Sequence, residues 1–560
     1  MSIRPPVTID GVVPWPDDVA ERYRAAGYWP GRSLASYIAE QVTQRPDDEA
    51  IIDGTTRLTY RQLWDRAASC AQALLDLGIA AGDRVLVQLP NCWEFVALTL
   101  ACLRTGVVPV MALPAHRQYE LTHLAALSEA VTVVVADIDR DTDLRQVAQQ
   151  VAAQVPSIRA IVVHGELSST TPEYAPEHSL RAALETSPHF AEADYEPTGA
   201  DVACMLLSGG TTGLPKLIVR TNDDYAYNIL CCNDISEFDS DTVYLGTLPS
   251  SHNFPLACPG VLGALFAGAR AVMLPSPAPE RALRTIDAEG VTVSAVVPAV
   301  AQSWIEYQRQ HRPLRGTSLR VLQVGGSRMP DELAARVEPV LGARLQQVFG
   351  MAEGLINMTR LDDDPEIIRT TQGRPVSDAD EILVVDETGN PVPDGIPGAL
   401  LTRGPYTPRG YFRAPEHNSR AFTPDGWYAS GDIVVRRPDG NLIVEGRDKD
   451  MINRGGEKIS AEEVENFAYQ LDGVEMAAAV AMPDPTLGER VCLYLTVAQD
   501  HSVGLADVAA VMNAAGVARF KIPERLEVVT SMPTTKVGKI DKKALRVDIA
   551  ERVTHDRAQP

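Results

Sequence analysis

Between Leu34 and about residue 165, helix-length amphipathic stretches alternate with short apolar runs. The amphipathic stretches lie at 64–77, 92–103, 120–130 and 144–155, and the apolar runs begin at Arg84, Val107, Val131 and Ile158. Helix-length and strand-length segments in strict turn predict βαβ units and a mostly parallel sheet. Residues 165–200 are rich in Ser, Thr, Pro and Glu and read as a surface connection. The alternation resumes at Val202 and runs on through 271–274, 291–297 and 319–324. From Glu381 the texture changes: turn signals at 386–390, 393–395 and 438–440 predict β-hairpins. After Arg447 comes a compact mixed pattern that ends in the lysine-rich stretch 536–543. The expected fold class is α/β, in two parts. Residues 1–448 form a large body of α/β sheets with a β-rich subdomain, and residues 449–560 form a small α+β C-terminal domain.

Composition narrows the function. The 560 residues leave room for several cores, and 51 basic against 74 acidic side chains give a net charge of −23. That balance repels phosphate backbones and anionic lipid, so neither nucleic acid nor a membrane is an expected partner. The longest apolar stretch, 95–103, runs into Arg104 before reaching the roughly 18 residues a membrane span needs. The N-terminus has no apolar segment of a secretory signal, and the eight cysteines form no CxxC pair. A reduced, cytoplasmic enzyme is the expectation.

Four segments carry candidate chemistry. Ser208, Gly209, Gly210, Thr211, Thr212, Gly213 and Lys216 follow directly on an apolar strand pattern. Glycines expose backbone N–H groups, and the hydroxyls and the lysine add donors, which makes a cradle for a polyphosphate. No Gly-Lys-Ser/Thr follows, and Leu214-Pro215 would disrupt the helix that a Walker loop opens. By composition alone, a polar surface turn fits equally. In the second segment, Glu353 follows the strand pattern 344–348, at the carboxyl end where α/β sheets bind ligands. A carboxylate beside a phosphate loop suits Mg²⁺; on its own it reads as a solvated loop acid. In the third, a tight turn at 438–441 would fold Asp432 back beside residue 446 or 447, bringing it to Arg447. A carboxylate can grip two ribose hydroxyls there while a guanidinium holds ribose or phosphate. In the fourth, Gly538 frees the backbone so that Lys539 can turn inward and neutralise charge on a phosphate, whereas Lys536, Lys542 and Lys543 read as a solvated face.

In this order and spacing, with the segment 446–458, these motifs resemble the adenylate-forming superfamily of acyl- and aryl-CoA synthetases, peptide-synthetase adenylation domains and luciferases. The resemblance spans about residues 30 to 550. Through residues 251–260, 348–357 and 453–458 it is closest to the stand-alone aryl-acid-AMP ligases of siderophore synthesis, and among those to salicylate-activating enzymes of mycobactin-type assembly. It implies two half-reactions: ATP and a carboxylic acid give acyl-AMP and pyrophosphate, then a phosphopantetheine thiol displaces AMP. Residues 208–216 would hold the β- and γ-phosphates, and Glu353 would bind Mg²⁺. Gly325, Gly326, Phe349 and Gly350 would flank adenine, with Asp432 on the ribose and Arg447 nearby. Lys539 would bridge carboxylate and α-phosphate. A rotation of the C-terminal domain about the hinge Lys449 would then bring in Gly455 and Gly456 as a wall of a pantetheine tunnel.

The resemblance also bears on the acid. Peptide-synthetase domains that take α-amino acids place an Asp where this chain has Asn253. A neutral amide cannot pair with an ammonium but can hydrogen-bond a phenolic hydroxyl ortho to a carboxylate. His252 would contact the carboxylate or a phosphate. Phe254, Val348, Ala352 and Ile356, with Gly326, would complete an apolar slot, and all four side chains equally suit an ordinary core. Enzymes for 2,3-dihydroxybenzoate tend to carry Ser where this chain has Cys258. A thiol, bulkier and a weak donor, suits the unsubstituted ring edge of salicylate, and it equally suits a buried structural cysteine. The expected substrates are thus ATP, with Mg²⁺, and salicylate or a related aryl acid. No carrier-domain pattern follows Lys539, so the acceptor is expected to be an aryl carrier protein in trans. A 2,3-dihydroxybenzoate ligase or an aryl-CoA ligase on the same fold is the alternative; an ATP hydrolase or nucleotide-binding regulator is the reading from another class.

Overall fold

The computed structural model describes residues 6–186, 197–208, 214–311, 318–326, 328–329, 331–386, 388–447, 451–533 and 540–558. Two mostly parallel sheets build the large body. The first, of seven strands, runs in the order Leu217–Thr221, Val202–Leu207, Val108–Met111, Arg84–Gln88, Thr132–Ala136, Ala160–His164 and Glu177–Ser179. The second, of nine, has Arg344–Gly350, Val321–Val324, Val293–Val296, Val243–Gly246, Arg270–Met273 and Glu49–Asp53 in parallel succession, with antiparallel strands at both edges. The predicted alternation is present: the helix Tyr60–Asp76 precedes the first expected strand, and Trp93–Thr105, Gln118–Ser128 and Leu144–Gln154 each fall between two of them.

The apolar run 95–103 forms the middle of the helix Trp93–Thr105, whose residues from Phe95 to Thr105 are all buried. A helix apolar on every side belongs in an interior. It packs on the helix Tyr60–Asp76, in a core shared by strands of both sheets. No described helix is long and apolar enough to cross a membrane. Within the surface connection expected over 165–200, residues 177–185 are more regular than their composition suggests. Glu177–Ser179 pairs parallel to Ala160–His164, and the helix Leu180–Glu185, capped by Ser179, buries Leu180 and Leu184 against the helix Tyr60–Asp76. Two apolar residues one helical turn apart suffice to dock it.

The hairpin texture after Glu381 becomes a four-stranded antiparallel sheet of Glu381–Val385, Pro397–Arg403, Tyr428–Arg436 and Leu442–Arg447. A separate sheet begins at Met451, so the expected boundary at 448/449 lies outside the described residues. In this small domain the strand Val474–Asp484 is covered on both faces. Ala477 and Ala479 face the core of the helices Ala461–Ala468 and Leu505–Ala514, while Ala478, Val480 and Met482 face that of the helix Lys542–Ala558. The period of two sorts them.

The small domain docks on the large one through a buried ionic cluster. The Lys521 ammonium lies 3.2 Å from Glu120 of the large domain and 3.0 Å from Glu463 of its own. The Ala518 N–H also donates to Glu120 (3.2 Å), and Tyr119 meets Phe467 edge to face. One ammonium cannot balance two buried carboxylates. Burial, with Glu120 adding to it against Lys521, raises the Glu463 carboxyl from 4.5 to about 7, while Glu120 stays below its ordinary value. His116, also beside Glu120, is held neutral by burial, and Tyr119, His123 and Glu457, whose carboxyl burial also raises, complete the groups that feel Lys521. Docking therefore takes up a proton. At low pH Glu120, held below its ordinary value, protonates and its pairing with Lys521 is lost; through Glu463, docking weakens as pH rises from the ordinary carboxyl range towards 7 and levels off above. Amide exchange of the segment holding Ala518, corrected for its intrinsic pH dependence, should lose protection across that window. Glu463→Gln should flatten the dependence.

Candidate active site

The turn between Val202–Leu207 and Leu217–Thr221 is pinned at its ends: Ser208 N–H donates to the Lys216 carbonyl (2.9 Å), and Lys216 N–H donates to the Ser208 hydroxyl (3.2 Å). Gly209, Gly210, Thr211, Thr212 and Gly213 lie outside the described residues. A strand follows the turn, antiparallel to the first, as Leu214-Pro215 required of a loop that opens no helix. The Lys216 ammonium sits 5.7 Å from the centre of the Tyr411 ring, and the Tyr411 hydroxyl donates to Glu353 at 2.7 Å. Glu353 is buried in the turn after the strand Arg344–Gly350. Gly354 there has φ +139°, and a Cβ would fall 2.5 Å from the Thr407 hydroxyl, so only glycine lets this turn close. The structure thus joins the expected phosphate turn to the expected metal ligand, whose second oxygen has no hydrogen-bond partner among the described residues.

The apolar slot assembles beside them. His252 caps the short helix Asn253–Ala257, its Nδ1 accepting from Phe254 N–H at 3.2 Å. Nδ1 is therefore the acceptor nitrogen, and the neutral ring carries its proton on Nε2. Surrounding protein atoms first, and the Lys458 ammonium second, push the imidazole down to about 4, although its open edge reaches water. The ring is neutral at pH 7. Asn253, Phe254, Cys258 and Val348 are all buried. A Cβ on Gly325 would lie 2.9 Å from the Val348 carbonyl and 3.1 Å from the Phe254 ring, so these three meet at one point. Ala352 is partly buried beside them, and Ile356 backs the slot from the core at 1% exposure, against Gly350. The Asn253 side-chain N–H donates to the Cys258 sulfur (3.3 Å).

On the nucleoside side, Asp432 pairs with Arg447 in the hairpin register, one of the two expected partners; Asp432 is buried. Gly350 pairs with Ile356 and Phe349 with Asn357, while Gly326 has φ +86°. The small domain closes the cleft: Asn453 Nδ2 donates to the Gly326 carbonyl at 3.2 Å. Gly456 Cα lies 3.8 Å from where a Gly326 Cβ would stand, and a Cβ on Gly456 would strike Val297 at 2.7 Å. Lys449 and Lys539 lie outside the described residues.

Several residues here escaped motif reading. Arg220 is fully buried, bonded to Asp224 (2.6 Å) and to the Ala352 carbonyl (3.1 Å), and stacked 4.6 Å from the Tyr225 ring centre. Only the Thr221-x-x-Asp224 capping box was visible as a sequence signal. Tyr225 and Tyr411 lie in patterns that look like ordinary core and loop.

The two-sheet body, the docked small domain and a cleft setting phosphate donors beside an apolar slot define an adenylate-forming ligase. Residues 38–412 match the AMP-binding enzyme profile and residues 463–539 that of the AMP-binding enzyme C-terminal domain; the chain belongs to the AMP-binding enzyme family. It is 56% identical over 545 residues, 96% of this chain and 98% of the relative, to a Streptomyces "Salicylyl-CoA synthase / salicylate adenylyltransferase". A Mycobacterium tuberculosis "Salicyl-AMP ligase / salicyl-S-ArCP synthetase" is 45% identical over 96% of this chain and 94% of its own. The apo structure of MbtA from Mycobacterium smegmatis superposes with a TM-score of 0.74 at 45% identity, over 96% of this chain and 98% of that one.

Because Arg220 and Asp224 are both without solvent exposure, removing one partner strands a buried charge. Asp224→Ala should lower unfolding stability by about 3–5 kcal/mol in denaturant titration. A loss below 1 kcal/mol would show that the pair does not anchor the Ala352 turn.

Proposed function

We propose that the protein activates salicylate with ATP and passes the acyl group to a phosphopantetheine thiol in the cytoplasm. The observation that carries this reading is the link between the Asn253–Cys258 pair and the Lys216–Tyr411–Glu353 cluster, made by Tyr225 on Asn253 and by Arg220, which lies over the Tyr225 ring and reaches the carbonyl of Ala352, next to Glu353. A flat ring fits between Phe254 and Val348, and the Asn253 amide meets an ortho hydroxyl. The neutral His252 offers its Nε2–H to the carboxylate.

In the first half-reaction a carboxylate oxygen attacks the α-phosphorus, and the bond to pyrophosphate breaks. Two anions must meet, so the chain contributes donors and cations placed around the phosphorus. Ser208, Lys216 and the turn between them hold the β- and γ-phosphates. Gly325, Gly326, Phe349 and Gly350 flank adenine, Asp432 grips the ribose hydroxyls with Arg447 beside it, and Lys539 bridges carboxylate and α-phosphate. Glu353 is the residue fit to hold Mg²⁺, which when bound would neutralise phosphate charge. In the second half-reaction the thiol sulfur bonds the acyl carbon and AMP leaves. The docked arrangement supports this step: Asn453, Gly455 and Gly456 wall the cleft at Gly326, with Lys449 as the hinge of the exchange between states.

The acceptor is an aryl carrier protein in trans. The name of the 56%-identical Streptomyces relative favours CoA as a second reading. Thioester formation on carrier with CoA rejected supports the first; rapid salicyl-CoA formation supports the second. Salicylate-dependent exchange of labelled pyrophosphate into ATP tests the activation itself. Lys539→Ala should reduce that exchange by several orders of magnitude while ATP still binds, and near-normal exchange would remove Lys539 from its role. Cys258→Ser should move the kcat/KM ratio towards 2,3-dihydroxybenzoate by about tenfold, and an unchanged ratio would reject Cys258 as the discriminator.

A further inference from the structure

Asn253 can present either its carbonyl oxygen or its NH₂ to a ligand, and the two faces select opposite chemistry. Its orientation is fixed by two neighbours. The Cys258 thiol donates to the Asn253 backbone carbonyl (3.5 Å), so the sulfur is left as an acceptor and the amide nitrogen turns to it at 3.3 Å. The amide oxygen then faces Tyr225, whose hydroxyl donates to it at 2.8 Å. Tyr225 is fully buried in the helix Asn222–Ile235, and the Arg220 guanidinium stacked on its ring also reaches the Ala352 carbonyl. The phenol is therefore held on the amide from one side and tied to the slot's far wall from the other. One N–H of the Asn253 NH₂ is taken by sulfur, and the second has no partner among the described residues.

We propose that Tyr225 is a positioning residue that locks the Asn253 amide with its NH₂ towards the slot, so that the enzyme demands a hydrogen-bond acceptor ortho to the carboxylate and rejects ortho-amino acids. This rests on the salicylate reading above. In salicylate the phenolic proton is directed to the neighbouring carboxylate, which leaves oxygen lone pairs for the Asn253 N–H. In anthranilate the ortho nitrogen shares its lone pair with the ring. One of its N–H bonds turns to the carboxylate and the other faces the Asn253 N–H, donor against donor. A buried donor left unmatched makes the wrong acid roughly 10–100-fold worse.

The test measures kcat/KM in pyrophosphate exchange for salicylate, anthranilate and benzoate. Wild type should prefer salicylate to anthranilate by about 10–100-fold. In Tyr225→Phe the amide is free to turn, so the ratio should fall by about tenfold through loss with salicylate and gain with anthranilate, and benzoate, with no ortho group, should move least. Asn253→Asp, which keeps Tyr225 and offers only acceptors, should shift the ratio in the same direction. Equal loss with all three acids in Tyr225→Phe, or an unmoved ratio in both variants, would overturn the proposal while salicylate activation stands. A wild type that activates anthranilate as well as salicylate would also overturn it. Failure of the wild type to activate any ortho-hydroxy acid would overturn the salicylate reading, and the proposal with it.

Discussion

A carboxylate and a polyphosphate repel each other, and a chain of net charge −23 repels both. The fold answers this with geometry. Parallel strands of two sheets end at one cleft: Val202–Leu207 delivers Ser208, Val321–Val324 delivers Gly325, and Arg344–Gly350 delivers the turn with Glu353. At strand ends the backbone N–H groups are free of the ladder and can face an anion. Lys216, held over Tyr411, adds the one described ammonium of that turn, and Tyr411 ties it to the carboxylate fit for a cation. At about 4 Å from a phosphate oxygen one such charge would be worth on the order of 4 kcal/mol near a protein surface.

On the proposed mechanism a second constraint is that one side of the cleft serves two steps. The hairpin Met451–Arg454 and Glu457–Ser460 occupies it here, sealed by Asn453 on Gly326 and by glycines that leave no room for a Cβ against Val297. Lys539 belongs to the same small domain, so the space cannot hold hairpin and catalytic lysine together on the proposed mechanism. The Lys521–Glu120–Glu463 cluster makes that choice a matter of proton count as well as shape.

Local pattern carried much of this. The βαβ alternation was legible because buried parallel strands are short apolar runs between amphipathic helices. The return of Asp432 to residue 446 or 447 was legible because a tight turn leaves little choice of register; an unbroken ladder would set it on Gly446, and the bulge between Ile433 and Val434 moves it to Arg447. What escaped depends on contacts between distant segments. Tyr225 reads as one more aromatic on a helix until its hydroxyl is seen on Asn253. Lys521 reads as a surface lysine until Glu120, on the other domain, is placed beside it. The helix Leu180–Glu185 hid in a polar stretch because two leucines and the capping Ser179 were its whole signal.

The most direct measurement is a crystal structure with ATP, Mg²⁺ and salicylate bound. The account predicts the ring between Phe254 and Val348 with its hydroxyl on Asn253, the ribose on Asp432 and the phosphates along the turn from Ser208 to Lys216. A nucleoside bound away from Asp432, or a ring outside the slot, would contradict it.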